Sequence, residues 1–375
     1  MIKLRMKIIR KNLQVPNTRG KMMIEEKEMA EPPVLMERGR GVVELVLNRP
    51  RVINTLNLEM IRLLKQGLDT ALADAGCRLL LLRGAGARGF CAGGDLKALA
   101  QSVREKSWDR DVQFFQEEYA LDLAIHRFPK PVVALAEGIT MGGGLGLAAG
   151  ADLVVATEGT RLAMPETGIG FFPDVGATGW LFAKCPPGYP EYLALTGREL
   201  EGAAGVRVGL ATHLVRAAKM PEVLEALREV ANNLPPVKEA AVRQLREALA
   251  PWGEPTISPQ PDLDAWVARH FAGKTSVRKI LDSLSACRDA STLCAEALGQ
   301  LQTRSPTALV LTLSLLRRHQ GRPLEEVLAG EARAAAWMIA HPDYLEGIRA
   351  RLLDRDQQPR WQPPSLEEVR LEPEL

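Results

Sequence analysis

Several features that would announce a particular chemistry are missing from this sequence. Charge is balanced: 48 Lys and Arg face 46 Asp and Glu, a net +2. That gives no electrostatic case for a nucleic-acid partner or an anionic membrane. No run of about 18 apolar residues exists, so no membrane-spanning helix is expected. Cysteine is sparse. Cys77, Cys91, Cys185, Cys287 and Cys294 are odd in number, widely spaced and without a C-x-x-C, which argues against a disulfide framework or a zinc site. They read as small buried hydrophobes in a reducing compartment, with Cys287 and Cys294 sharing a helix face. The histidines, His126, His213, His270, His319 and His341, show no H-E-x-x-H and no paired ligand spacing. There is no G-x-S-x-G elbow and no G-x-x-x-x-G-K-[ST], and the Rossmann glycine spacing also fails. No metal ion and no cofactor is expected.

What is present is a large apolar content, 46% of 375 residues, enough for a real core in two or three domains. "GVVELVLNRP" (41–50) reads as a strand ending at a turn, and "NLEMIRLLKQGLDTALAD" (57–74) as an amphipathic helix. "RLLLLRGAG" (78–86), "KPVVALAEG" (130–138) and "ADLVVATEG" (151–159) read as fully buried strands, each running into a glycine-rich loop or turn. Successive β–loop–α units predict an α/β core with its loops gathered at one end of the sheet. From about residue 216 the pattern is helical, interrupted by the proline-rich "PWGEPTISPQPD" (251–262). The expected division is a disordered leader (1–34), an α/β core (35–215) and a helical C-terminal region (216–375). The leader is basic, as in a transit peptide, yet lacks serine; Met22, Met23 and Met29 are each candidate starts.

The chemistry must then come from carboxylates and backbone dipoles. "MPETGIGFFPDVGA" (164–177) carries only two ionisable groups, Glu166 and Asp174, among Gly, Pro, Phe, Ile and Val. Burying a carboxylate without a partner costs several kcal/mol or forces its pKa up. That cost points to an ion pair or to a catalytic role. The glycine loops "GAGARGFCAGGD" and "ITMGGGLGLAAG" lack side-chain bulk and can aim backbone N–H groups at one ligand atom. Gly94 and Gly143 are the candidate oxyanion-hole donors, the second because a helix begins there.

"FCAGGDL" (90–96), "GITMGGGLGL" (138–147) and "MPETGIGFFPDVG" (164–176) resemble the crotonase (enoyl-CoA hydratase/isomerase) superfamily. "FFQEEYALD" (114–122), "EYLALTGREL" (191–200), "GLATHLV" (209–215) and "DRDQQPRWQP" (354–363) resemble its 3-hydroxyisobutyryl-CoA hydrolase branch. The resemblance covers nearly everything after residue 38. It implies a crotonase-like spiral of β-β-α turns with a helical C-terminal region, and an acyl-CoA thioester substrate. It places Glu166 and Asp174 at catalytic positions, Gly94 and Gly143 in the oxyanion hole and Glu118 against substrate. Asp95 is expected to brace its loop by accepting backbone N–H bonds.

Two departures matter. A hydratase of the family needs a second glutamate two residues past the triple glycine, where this chain has Gly146. A further glycine run expected in the hydrolase branch is replaced in "DVGATGW" by Ala177 and Thr178. The reading that follows is thioester hydrolysis in valine breakdown, with no cofactor beyond the CoA of the substrate. It implies cytoplasmic placement, or the mitochondrial matrix in a eukaryote. The resemblance leaves a homo-oligomer open, a trimer or a multiple of one. The alternatives are an enoyl-CoA hydratase or dienoyl-CoA isomerase of the same superfamily, and a non-catalytic CoA- or RNA-binding relative.

Overall fold

Among the described residues, ten strands form two sheets. The strands are β1 Val34–Gly39, β2 Val42–Leu47, β3 Leu79–Gly84, β4 Gly89–Cys91, β5 Val132–Ala136, β6 Ile139–Met141, β7 Leu153–Thr157, β8 Arg161–Ala163, β9 Leu200–Glu201 and β10 His213–Val215. The larger sheet has the order β1-β2-β3-β5-β7-β10 and the smaller β4-β6-β8-β9. Only β1 and β9 run antiparallel to their neighbours. The structure is a computed structural model and describes residues 31–372 apart from 106, 255–256 and 288–291. The expected leader lies outside the described residues up to residue 30, and the first strand already begins at Val34.

The sequence pattern explains the larger sheet. Parallel strands covered on both faces read as unbroken apolar runs, and Leu79, Leu80, Leu81 and Leu82 are all buried. Their side chains alternate between two cores. Leu80 and Leu82 join the main core, while Leu79 and Leu81 face Val223, Leu227, Leu245 and Leu249. Each fully buried leucine contributes roughly 1.5–3 kcal/mol. The helices Met220–Ala231 and Lys238–Leu249 therefore cover the back of this sheet. Helix α1, Leu58–Ala73, begins where Asn57 accepts from the Met60 N–H at 2.9 Å and packs on the opposite face.

The glycine loops are not only loops. "GFC", "ITM" and "RLA" are the three-residue strands β4, β6 and β8 of the smaller sheet. Each turn of chain thus lays one strand in each sheet before its helix: β3 with β4, β5 with β6, β7 with β8. After β4 come α2, Leu96–Arg104, and α3, Trp108–His126; after β6 comes α4, Gly143–Ala149. After β8 come α5, Ala177–Lys184, and α6, Tyr189–Thr196. Residues Pro32–Leu375 form one compact unit.

The cysteine expectation fails at one pair. Cys287 and Cys294 form a disulfide, their Cα atoms 6.6 Å apart. They do not share a helix face. The helix Val277–Ser285 ends before Cys287, and Cys294 belongs to the next helix, Thr292–Thr303. A break between two helices brings together what a continuous helix would have separated.

Candidate active site

The two glycine turns meet. A β-carbon added to Gly93 would lie 3.4 Å from the Gly143 backbone nitrogen. Gly93 adopts φ +94°, a conformation that glycine alone reaches without strain. Gly143 is the first residue of α4, so its N–H has no partner within that helix. Leu56 pairs beside Gly94, and its N–H bonds the Gly93 carbonyl at 2.8 Å. Asp95 braces the turn as expected, accepting from the Lys97 and Ala98 N–H groups at 3.2 and 3.4 Å. Its other oxygen receives Arg49 at 2.8 Å.

Three of the predicted carboxylates close on this point. A β-carbon on Gly142 would lie 2.8 Å from Glu166 Oε1, and one on Gly143 would collide with Glu118 Oε1. Glu166 opens a single 3-10 turn, Glu166–Ile169, that ends at Gly170 in the left-handed region. Thr167 ties this turn to α6 by donating to the Leu195 carbonyl at 3.1 Å. Asp174 lies on the following loop and accepts the Tyr119 hydroxyl at 2.8 Å. Glu166 Oε2 and Glu118 Oε1 are buried without a hydrogen-bond partner.

Two further carboxylates stand nearby, and sequence reasoning missed both. Asp122 is one helical turn beyond Glu118 on α3, buried, with neither oxygen bonded. Glu331, on the helix Leu324–Ala340, accepts from the Gly176 and Thr178 N–H groups at 2.6 and 3.1 Å. It caps the start of α5 across 155 positions of sequence. Tyr119 was overlooked as well. Tyr119 and Asp122 lie within a quoted motif, but their roles needed α3 to be seen in place. Nothing local in the sequence marks Glu331.

Burial pushes all five acids upward. Glu118 is raised well above the usual carboxylate value, first by burial and then by Asp174, Asp122 and Glu166. Glu166 is raised by burial and by Asp174, and Asp122 by burial, Asp174 and Glu331. Glu331 reaches about 8, chiefly by burial. Asp174 is pushed to about 7 by burial, opposed by its bond from Tyr119. A cluster of this kind keeps protons near neutral pH and is suited to moving them.

The two departures also have physical readings. A β-carbon at Gly146 would lie 2.6 Å from the Val175 Cβ, so the hydratase glutamate has no room in this backbone. Thr178 replaces glycine to make polar contacts: its hydroxyl bonds Glu331 and lies 2.8 Å from His319 Nδ1. The C-terminal "DQQPRW" reaches the same neighbourhood. A β-carbon on Gly170 would lie 3.1 Å from the Trp361 ring and collide with the Asp343 carbonyl. Trp361 is held by the Thr303 carbonyl at 3.1 Å, and Gln362 N–H by Asp343 at 2.6 Å. This tail therefore buttresses the turn that carries Glu166. A cavity of about 380 Å³ opens beside Gly94, lined by Leu56, Asp95, Leu99 and Phe114 among others.

The pattern of an enoyl-CoA hydratase/isomerase family matches residues 42–373. The mitochondrial 3-hydroxyisobutyryl-CoA hydrolase of Rattus norvegicus is 38% identical over 350 residues, covering 92% of this chain and 88% of that protein. The protein of that name from Xenopus tropicalis is 36% identical over 372 residues, covering 97% and 91%. Among solved structures, a carnitinyl-CoA dehydratase from Mycobacterium thermoresistibile superposes with a TM-score of 0.81. It is 36% identical and covers 90% of this chain and 94% of that one. An enoyl-CoA hydratase from Rhodobacter sphaeroides gives 0.79 at 32% identity, with the same coverage.

Proposed function

The chain belongs to the enoyl-CoA hydratase/isomerase family, and from that premise we propose that it hydrolyses an acyl-CoA thioester. The substrate is 3-hydroxyisobutyryl-CoA and the products are CoA and 3-hydroxyisobutyrate. The observation that carries this reading is Glu166 standing at the Gly142 turn, near enough to Asp174 to be raised by it, while Val175 fills the space beside Gly146. Hydration of a C=C bond by the family's two-glutamate arrangement is thereby denied, and the relatives named as hydrolases supply the substrate.

The Gly94 and Gly143 N–H groups hold the thioester oxygen and stabilise the charge that develops on it, a term worth about 100- to 1000-fold per donor. Glu166 attacks the acyl carbon, giving a mixed anhydride that water then hydrolyses, or takes a proton from the attacking water; both routes need it ionised. Asp174 gives a proton to the departing thiolate sulfur, so it must begin protonated. In the free protein burial and Asp174 favour the protonated form of Glu166, while the Tyr119 bond favours ionisation at Asp174. The reacting state needs the opposite order, with Glu166 ionised and Asp174 protonated. Glu118, beside Gly143, meets the substrate. No cofactor enters any of these steps.

Substrate and product make this a step in the breakdown of a branched acyl chain, as in valine catabolism. We place it in the cytoplasm, or in the mitochondrial matrix if the source is eukaryotic, with a homo-oligomer, a trimer or a multiple of one, as the family expectation. Among the described residues no helix is long and apolar enough to cross a membrane. The test is thiol release from a panel of acyl-CoAs, with crotonyl-CoA absorbance followed in parallel. Fastest release from 3-hydroxyisobutyryl-CoA is expected, with no loss of the crotonyl absorbance. Faster hydration of crotonyl-CoA would replace this assignment with the hydratase one.

A further inference from the structure

The disulfide cysteines have a third companion. The His270 ring and the sulfurs of Cys287 and Cys294 place one ligand atom each within 4.8 Å of one another. They come from three consecutive segments: the helix Pro261–Phe271, the break after Val277–Ser285, and the helix Thr292–Thr303. His270 and Cys294 are buried, and Cys287 is partly open to solvent.

We propose that these three residues form a redox-gated site for a zinc-like divalent cation, bound by the reduced thiolates and His270 and expelled when the disulfide closes. The donor set is that of tetrahedral zinc, with one position left for water. Zinc–sulfur bonds near 2.3 Å and zinc–nitrogen bonds near 2.0–2.1 Å put ligand atoms about 3.3–3.8 Å apart. The observed cluster lies within that reach. The Cα separation of 6.6 Å sits at the wide end of the usual disulfide range, about 4.4–6.8 Å. Side-chain rotation alone can open the sulfurs around an ion.

The surroundings are also those of a ligand set. His270 Nδ1 lies 2.9 Å from the Ser283 hydroxyl, which leaves Nε2 to bind metal. The Trp266 indole N–H donates to Cys294 Sγ at 3.2 Å, a bond that favours the thiolate. Trp266 also packs 5.3 Å from the His270 ring and 5.7 Å from the Tyr192 ring of α6. Cys287 provides the route of entry.

The gating reaction balances with hydrogen peroxide as oxidant. Two thiolates release two electrons and form the S–S bond. The peroxide takes those electrons with two protons and leaves as two waters, and the cation departs once its sulfur ligands are consumed. A reducing compartment would restore the thiols.

The probe is cobalt(II), added without oxygen to full-length protein that has been reduced and stripped by a chelator. One cobalt per chain is expected, with a near-ultraviolet thiolate-to-cobalt band that zinc displaces. C287S and C294S should each weaken that band, and the double variant should abolish it. H270A should bind about tenfold more weakly or worse, since losing even an outer partner costs about 10- to 100-fold. C185S should bind as the parent does. Peroxide added to zinc-loaded protein should release the zinc as two thiols disappear. Circular dichroism and thiol-release activity check that the variants fold. The proposal falls if the reduced parent shows no thiolate-to-cobalt band. It falls equally if the folded double variant keeps the band, or if zinc stays bound after the disulfide closes.

Discussion

Buried carboxylates at two places in this molecule are accommodated in opposite ways. On strand β2 of the larger sheet, Glu44 is 2% exposed and receives both Arg83 and Arg228. Around the glycine turns, Glu118, Asp122, Glu166, Asp174 and Glu331 are buried, and among the described residues none has an ion pair. The first arrangement neutralises charge and leaves nothing to react. The second lets burial hold the acids protonated, with Tyr119 and a few backbone N–H groups deciding where a charge can form. A buried acid with a guanidinium is architecture; one without it keeps its proton for use.

The largest expected break in this contrast is Glu166→Gln. Thiol release from 3-hydroxyisobutyryl-CoA should fall about 10⁴-fold while the melting temperature holds or rises, because a buried acid with one unpartnered oxygen is removed. Turnover near the parent rate in a folded variant would take Glu166 out of the chemistry. Gly143→Ala comes next. Its methyl group must displace the Glu118 carboxylate, and loss of the donor geometry should cost about 100- to 1000-fold in kcat/KM.

Asp174→Asn should lower kcat about 100-fold and also change the pH dependence of stability. The folded-state pKa of Asp174, about 7, lies above its ordinary value of 3.8. Its favourable contribution is therefore complete below about pH 4 and is lost as pH rises through about 7. Thermal melts between those limits should show the parent losing stability as pH rises, with a shallower slope in the variant. An unchanged slope would mean that Asp174 is ionised across the whole range. The smallest effect on activity belongs to Glu44→Gln. Here kcat should stay within about twofold, while unfolding in urea reports a loss of about 1–3 kcal/mol. A reversed result, activity lost and stability kept, would erase the distinction between the two groups.

Much of the site was legible because burial is costly to charge. Glu166 and Asp174 stood out as the only ionisable groups in an apolar segment, and the glycine turns as the only places where backbone could face a ligand. Asp122 did not stand out, because an acid on a helix usually faces water and nothing local marks this turn of α3 as buried. Glu331 could not be found, since its partners, Gly176 and Thr178, lie far away in sequence. The large sheet was readable from its apolar runs. The small one was not: three residues give period-2 alternation no room, and glycine hides what remains. The disulfide was missed because a seven-residue spacing fits a helix as well as it fits the break between two.

The turn bearing Glu166 rests against Trp361 and the Asp343 backbone, from the far end of the chain. This carries a consequence for biosynthesis. A ribosome delivers the turn that bears Glu166 long before it delivers its support. A nascent chain can pair its strands and still lack a fixed Glu166 until Asp343 and Trp361 have been made.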